Sequence, residues 1–86
     1  MRLQYTDRFR RAYRALTPED RRRVQAALRR LAENLRHPGL RVKKMRGTGG
    51  IWEARASRGL RITFEMRDDA LILRNVGRHD ATLKRP

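Results

Sequence analysis

The stretch IWEARASRGLRITFEMR, residues 51–67, decides the fold. Two runs alternating apolar and polar residues flank Ser57-Arg58-Gly59, and a three-residue loop holding a glycine that takes φ > 0 at a bulge is a hairpin signal. Pairing across that loop sets position 56 against 60, 54 against 62 and 52 against 64. Trp52, Ala54, Ala56, Leu60, Ile62 and Phe64 then share one side, an apolar surface suited to packing on helices. The other side carries Glu53, Arg55, Arg61, Thr63 and Glu65. Arg55 lies opposite Arg61, and Glu53 opposite Thr63. Two guanidiniums as cross-strand neighbours repel unless an anion bridges them, and phosphate is the natural candidate.

Outward from the hairpin, Asp68-Asp69 makes a second tight turn into a last strand, Leu71 to Val76, with Leu71 and Leu73 facing the core beside Phe64 and Met66. Upstream, Gly47-Thr48-Gly49-Gly50 connects a strand at Leu40 to Met45. It lacks the lysine and the following helix of a phosphate-binding loop. Met1 to Tyr5 reads as a first strand, after which Thr6 caps a helix with apolar positions Phe9, Ala12, Tyr13 and Leu16. Thr17-Pro18-Glu19-Asp20 supplies the cap, the first-turn proline and the acids of a second helix. Its stripe is Val24, Ala27, Leu28, Leu31 and Leu35, and Pro38-Gly39 ends it. The expectation is an α+β domain spanning residues 1–86 in the order β-α-α-β-β-β. Two N-terminal helices pack on one face of a largely antiparallel four-stranded sheet, and the charged side chains line the opposite, open face.

Composition narrows the partners. The chain of 86 residues carries a formal charge of +14, which calls for a polyanion or a strongly acidic protein. Nucleic acid is the first expectation. A membrane is not, because no apolar run approaches spanning length and no signal-peptide pattern opens the chain, so the expected location is cytoplasmic. Without cysteine, and with His37 and His79 far apart, neither a disulfide nor a bound metal or other cofactor is expected. Twenty of the 23 basic residues are arginine, which favours planar two-point contacts to phosphate and also fits a genome rich in G and C.

The open face gathers groups able to cut RNA without metal: a base for the 2′-OH, cations for the charge on the phosphorane, and an acid for the leaving 5′ oxygen. Arg55 and Arg61 would hold the phosphate, and Glu53 or His79 would serve as base or acid. His79, just after Gly77 and a strand, can swing over the sheet edge toward them. Lys43, Lys44 and Arg46 at the rim, with Arg74 and Arg78 from the last strand, extend the RNA-binding surface. Plainer roles exist for each: Glu53 as the ion-pair partner of an arginine, His79 as a surface residue, and the Arg22, Arg29 and Arg36 row as a solvated helix face. Trp52, by its strand parity, reads as core rather than as a base-stacking platform.

Taken in order, YTDRFRRAYRAL, TPEDRRRVQAALRRL, HPGLRVKKMRG, IWEARAS, GLRITFEM and LILRNVGRHDATLKRP resemble the RelE/ParE superfamily of bacterial and archaeal toxins over nearly the whole chain. The resemblance implies a β-α-α-β-β-β fold, and in its ribosome-dependent branch metal-free cleavage of mRNA in the ribosomal A site. It also implies an acidic antitoxin as partner, and an isolated chain can form a homodimer through the apolar surface such a partner covers. Arg61 matches the arginine that binds the scissile phosphate, Arg55 a basic position on the preceding strand, and His79 the segment where several members carry a catalytic histidine. Glu53 stands where some members have lysine. The tail departs from the pattern: a tyrosine that stacks on a base in many members is replaced by Thr82 or Leu83. That departure keeps open the gyrase-poisoning branch, and a relative that binds RNA or antitoxin without activity.

Overall fold

The computed structural model describes residues 1–86. In chain order it contains β1 (Arg2–Tyr5), α1 (Asp7–Arg14), α2 (Pro18–Glu33), a 3-10 turn (Pro38–Leu40), β2 (Lys43–Lys44), β3 (Ile51–Ser57), β4 (Leu60–Arg67), β5 (Ala70–Arg78) and α3 (His79–Lys84). The sheet has five strands in the order β1-β5-β4-β3-β2, not four, and it is mixed because β1 runs parallel to β5. A third helix, α3, is present beside the two expected.

Local chemistry sets the boundaries. The Thr6 hydroxyl accepts from the Phe9 N–H at 3.0 Å, capping α1, and donates to the Leu73 carbonyl at 2.8 Å, so one side chain starts a helix and holds it to β5. Thr17 caps α2 by accepting from the Asp20 N–H at 3.1 Å, with Pro18 at the first helical position. α2 stops earlier than expected, because Asn34 turns to extended backbone at φ −157°. Leu35 therefore lies outside the helix while still packing against the core. The strand expected over residues 40–45 shrinks to Lys43–Lys44, since Pro38–Leu40 forms the 3-10 turn and Arg41 takes a left-handed conformation, φ 47° and ψ 48°.

The hairpin register matches expectation at Trp52↔Phe64, Glu53↔Thr63, Ala54↔Ile62 and Arg55↔Arg61. Near the turn it departs: Leu60 pairs with Ser57, Ala56 is the extra residue of a bulge, and Gly59 does not take positive φ. The extra residue sits in the strand and the loop is correspondingly shorter. A second irregularity pairs Thr63 with Asn75 but Phe64 with Leu73, leaving Arg74 unopposed. That slip explains why Leu71, Leu73 and Val76 are all buried despite their uneven spacing.

The core lies between the sheet and the first two helices. Phe9 of α1 and Val24, Ala27, Leu28 and Leu31 of α2 meet Ala54, Leu60, Ile62, Phe64, Leu71, Leu73 and Val76. Met66, expected among them, pairs with Leu71 yet remains 37% exposed. Asp20, 4% exposed, closes one end of this layer by accepting from Arg23 and Arg78, each at 2.9 Å. Hydrogen bonds to a buried charge contribute about 1.5–3 kcal/mol each, so this carboxylate ties α2 firmly to the end of β5.

The opposite face is not fully open. β1 pairs edge-on with β5 from Ala70 to Leu73, and α3 packs against both β5 and β4. Thr82 of α3 is 3% exposed, and a Cβ at Gly77 would stand 2.7 Å from its hydroxyl oxygen. Beyond α3, the Arg85 carbonyl accepts from Asn75 at 3.0 Å and the Pro86 carbonyl from Thr63 at 2.8 Å. Gly77→Ala should therefore lower stability by about 1–3 kcal/mol in urea denaturation, and Thr82→Ala should restore part of the loss in the double variant. An unchanged midpoint for Gly77→Ala would show that α3 is not packed there.

Candidate functional site

Strand parity arranges the charged face in two rows, of which α3 and the tail cover the β5 end. Lys43, Glu53, Thr63 and Asn75 form one row across β2, β3, β4 and β5, and Arg55, Arg61 and Gly77 form the next. Glu53 is only 7% exposed. The Arg61 Nε stands 3.9 Å from its carboxylate, while Arg61 Nη1 donates to the carbonyls of Ser57 at 3.1 Å, Leu60 at 3.0 Å and Arg58 at 3.4 Å. The guanidinium is thus held in one orientation at the hairpin turn. Arg55, directly across from it and half-buried, makes neither an ion pair nor a side-chain hydrogen bond. The pair carries two positive charges against the single carboxylate of Glu53, and the excess sits on Arg55.

The other expected site residues are placed unequally. Lys43, Lys44 and Arg46 line a shallow cleft of about 470 Å³ together with Met45 and Glu53, at the β2 edge of the same face. Arg74 is committed to Glu65 at 2.7 Å and to the Pro86 carbonyl at 3.3 Å. Arg78 leaves the group altogether, because its register partner is the buried Leu60 and its guanidinium reaches Asp20 on the helix side. His79 begins α3, and its backbone N–H donates to the Gly59 carbonyl at 2.9 Å, which brings it to the turn that Arg61 grips. Its ring, about half exposed, points Nδ1 at the Asp80 carboxylate 2.9 Å away.

That contact pulls the Asp80 carboxyl below its ordinary range, first through the hydrogen bond from His79, then through the imidazolium charge, with Lys84 adding to it. The sign follows from linkage. A carboxylate whose folded pKa is depressed lends stability that is complete above its unfolded value, 3.8, and is lost as pH falls through the lower folded value. The His79–Asp80 contact should therefore persist through mildly acid solution, and an NMR titration of the Asp80 carboxyl carbon should show a midpoint below 3.8.

α3 was not foreseen from the sequence, nor was the tail that the Thr63 hydroxyl, expected on this face, and the Asn75 amide receive. A signal was available: His79-Asp80-Ala81-Thr82-Leu83-Lys84 carries an acid in its first turn and a base in its last, the polarity a helix dipole favours. No group of three or more His, Cys, Asp or Glu side chains converges to hold a metal. No helix is long and apolar enough to cross a membrane.

No protein-family model and no curated protein matches the sequence. Solved structures do. YafQ from E. coli strain BL21(DE3) superposes with a TM-score of 0.78 over 96% of this chain and 98% of its own, at 15% identity. The fold is that of the RelE-like toxins. The E. coli RelBE toxin–antitoxin complex follows with a TM-score of 0.71 at 21% identity, over 92% of this chain and 96% of that one. The archaeal RelE–RelB complex from Pyrococcus horikoshii OT3 gives 0.72 at 19% identity, over 92% and 94%. At these identities the likeness shows the fold, and the RelE-like scaffold here carries its own set of charged residues.

Because Glu53 competes with any anion for Arg61, Glu53→Gln should tighten binding of inorganic phosphate to the free protein by roughly fivefold, read by calorimetry. Unchanged affinity would place the phosphate site away from this pair.

Proposed function

We propose that this protein is the toxin of a toxin–antitoxin pair and that it cleaves mRNA on the ribosome without a metal ion. The observation that carries the reading is the unpartnered Arg55 beside the oriented Arg61 on the charged face of a RelE-like fold. It is supported by the lysines of β2 along the same edge and by the net charge of +14.

In this mechanism the two guanidiniums bind the non-bridging oxygens of one phosphate. The adjacent 2′ oxygen, losing its proton to a base, attacks phosphorus, and the bond to the 5′ oxygen breaks. The products are a 2′,3′-cyclic phosphate and a 5′-hydroxyl. Arg61, oriented beforehand by three carbonyls, stabilises the charge growing on the phosphorane with little reorganisation. His79, attached through its backbone to the same turn, is the candidate proton donor to the leaving oxygen. Glu53, beside Arg61 and largely withdrawn from solvent, is the candidate base. The antitoxin is expected to be acidic, since its role is to neutralise the same surface.

A second reading, a toxin or relative that binds without cutting, is favoured by one feature: both Glu53 and His79 already have partners, in Arg61 and Asp80. Gyrase would be the target of such a protein in the other branch of the superfamily. Controlled expression with mapping of mRNA ends separates the readings. New ends in phase with codons are expected from the wild type, reduced about a hundredfold or more in Arg61→Ala. Growth arrest without new ends would overturn the nuclease reading.

A further inference from the structure

A second hollow lies on the helix side of the sheet, behind the face that carries Arg55 and Arg61. It encloses about 520 Å³ between the 3-10 turn and the start of β3. Its apolar wall is formed by Leu35, Val42, Trp52 and Met66, and Arg36, His37 and Arg41 stand around it. No acidic residue lines it. We propose that this hollow binds an unpaired RNA nucleotide, with the base against Trp52 and Met66 and the phosphate between Arg36 and Arg41.

The walls suit that ligand. Trp52 packs against the core and also lines the hollow, so the indole is held firmly while still meeting a ligand. A rigid indole is a sequence-tolerant stacking surface, because every base presents a π face. Met66 is one of the few large apolar side chains left exposed, at 37%, and its soft thioether packs well on aromatic rings. An interior position would have buried it.

The charges suit it too. Elsewhere two acids each hold two arginines: Asp20 takes Arg23 and Arg78, and Glu65 takes Arg67 and Arg74. Arg36 and Arg41 have neither an ion pair nor a side-chain hydrogen bond, so their guanidiniums are free for the two-point contacts that phosphate accepts. His37 Nδ1 accepts from the Gly39 N–H at 3.1 Å, which leaves Nε2 to carry the ring proton and donate. Arg41 adopts left-handed backbone, φ 47°, where glycine or asparagine would fit without strain. An acidic peptide would satisfy the arginines, but the indole and thioether beside them match a flat aromatic base better. The inference does not depend on cleavage, since the hollow and the Arg55–Arg61 face are on opposite sides of the sheet.

Trp52 is the single tryptophan of the chain, so its emission reports on this hollow alone. The full-length protein would be titrated with a 2′-O-methyl oligoadenylate hexamer, which cannot undergo 2′-oxygen attack. Saturable quenching of Trp52 is expected, weakened roughly tenfold in Arg36→Ala/Arg41→Ala and unaffected in Arg22→Ala, on the exposed face of α2. Both arginines are on the surface, and circular dichroism would confirm that the variants fold. Three results would overturn the proposal. One is an unchanged Trp52 signal when anisotropy of labelled hexamer shows saturation. Another is quenching that survives the double substitution or falls equally in Arg22→Ala. The third is tighter quenching by adenosine monophosphate, or by an acidic peptide containing phenylalanine, than by the hexamer.

Discussion

Side-chain parity along β4 ties the core of this protein to its charged face. Leu60, Ile62 and Phe64 are fully buried against the helices, and the intervening Arg61, Thr63 and Glu65 must then emerge on the other side. A slip of one residue would expose the core and bury the charges together. The Ala56 bulge absorbs the irregularity at the turn without disturbing that alternation, so Arg61 keeps its place opposite Arg55. Core stability and presentation of the cationic pair are therefore two readings of one constraint, and selection on either holds the other in place.

The same face is divided by the end of the chain. α3 and the residues after it occupy the β5 side, closed down onto Gly77 and hydrogen-bonded to Thr63 and Asn75. The side toward β3 and β2 is left less covered, with Arg55, Lys43 and the Glu53 cleft on it and Arg61, its side chain 15% exposed, at the margin. An extended anion bound there, as proposed, would be confined to a track rather than a plane. Its width is set by α3 on one side and by the short β2 edge on the other.

The hairpin and its charged row were legible in the sequence because period-two alternation and a short turn are local signals, as were the Thr6 and Thr17 caps. Asp68-Asp69 was equally clear as a turn, and Asp68 takes positive φ there, at 53°. Misreadings arose where distant chemistry overrides local pattern. Arg78 was expected on the RNA-binding surface, yet a buried carboxylate 58 residues away claims it. Arg74 was expected on the charged face and is there, but Glu65 and the tail occupy it. Trp52 faces the helix side, as parity predicts, but is only partly buried, and the hollow beside it depends on where α2 stops and how Arg41 turns. Neither is written in the alternation of β3.

The parallel pairing of β1 with β5 has a temporal consequence. Thr6 reaches the Leu73 carbonyl across 67 residues, and Arg2 reaches Asp69 across the same span. During synthesis the first strand has nowhere to dock until the last strand has left the ribosome, and long-range parallel pairing is intrinsically slow. The helices that follow β1 emerge early with their apolar stripes uncovered. The cationic face is assembled only after the β3–β4 hairpin forms, so a nascent chain is basic long before it is organised. A sheet that joins residues 67 positions apart in this way cannot close until β5 has been made.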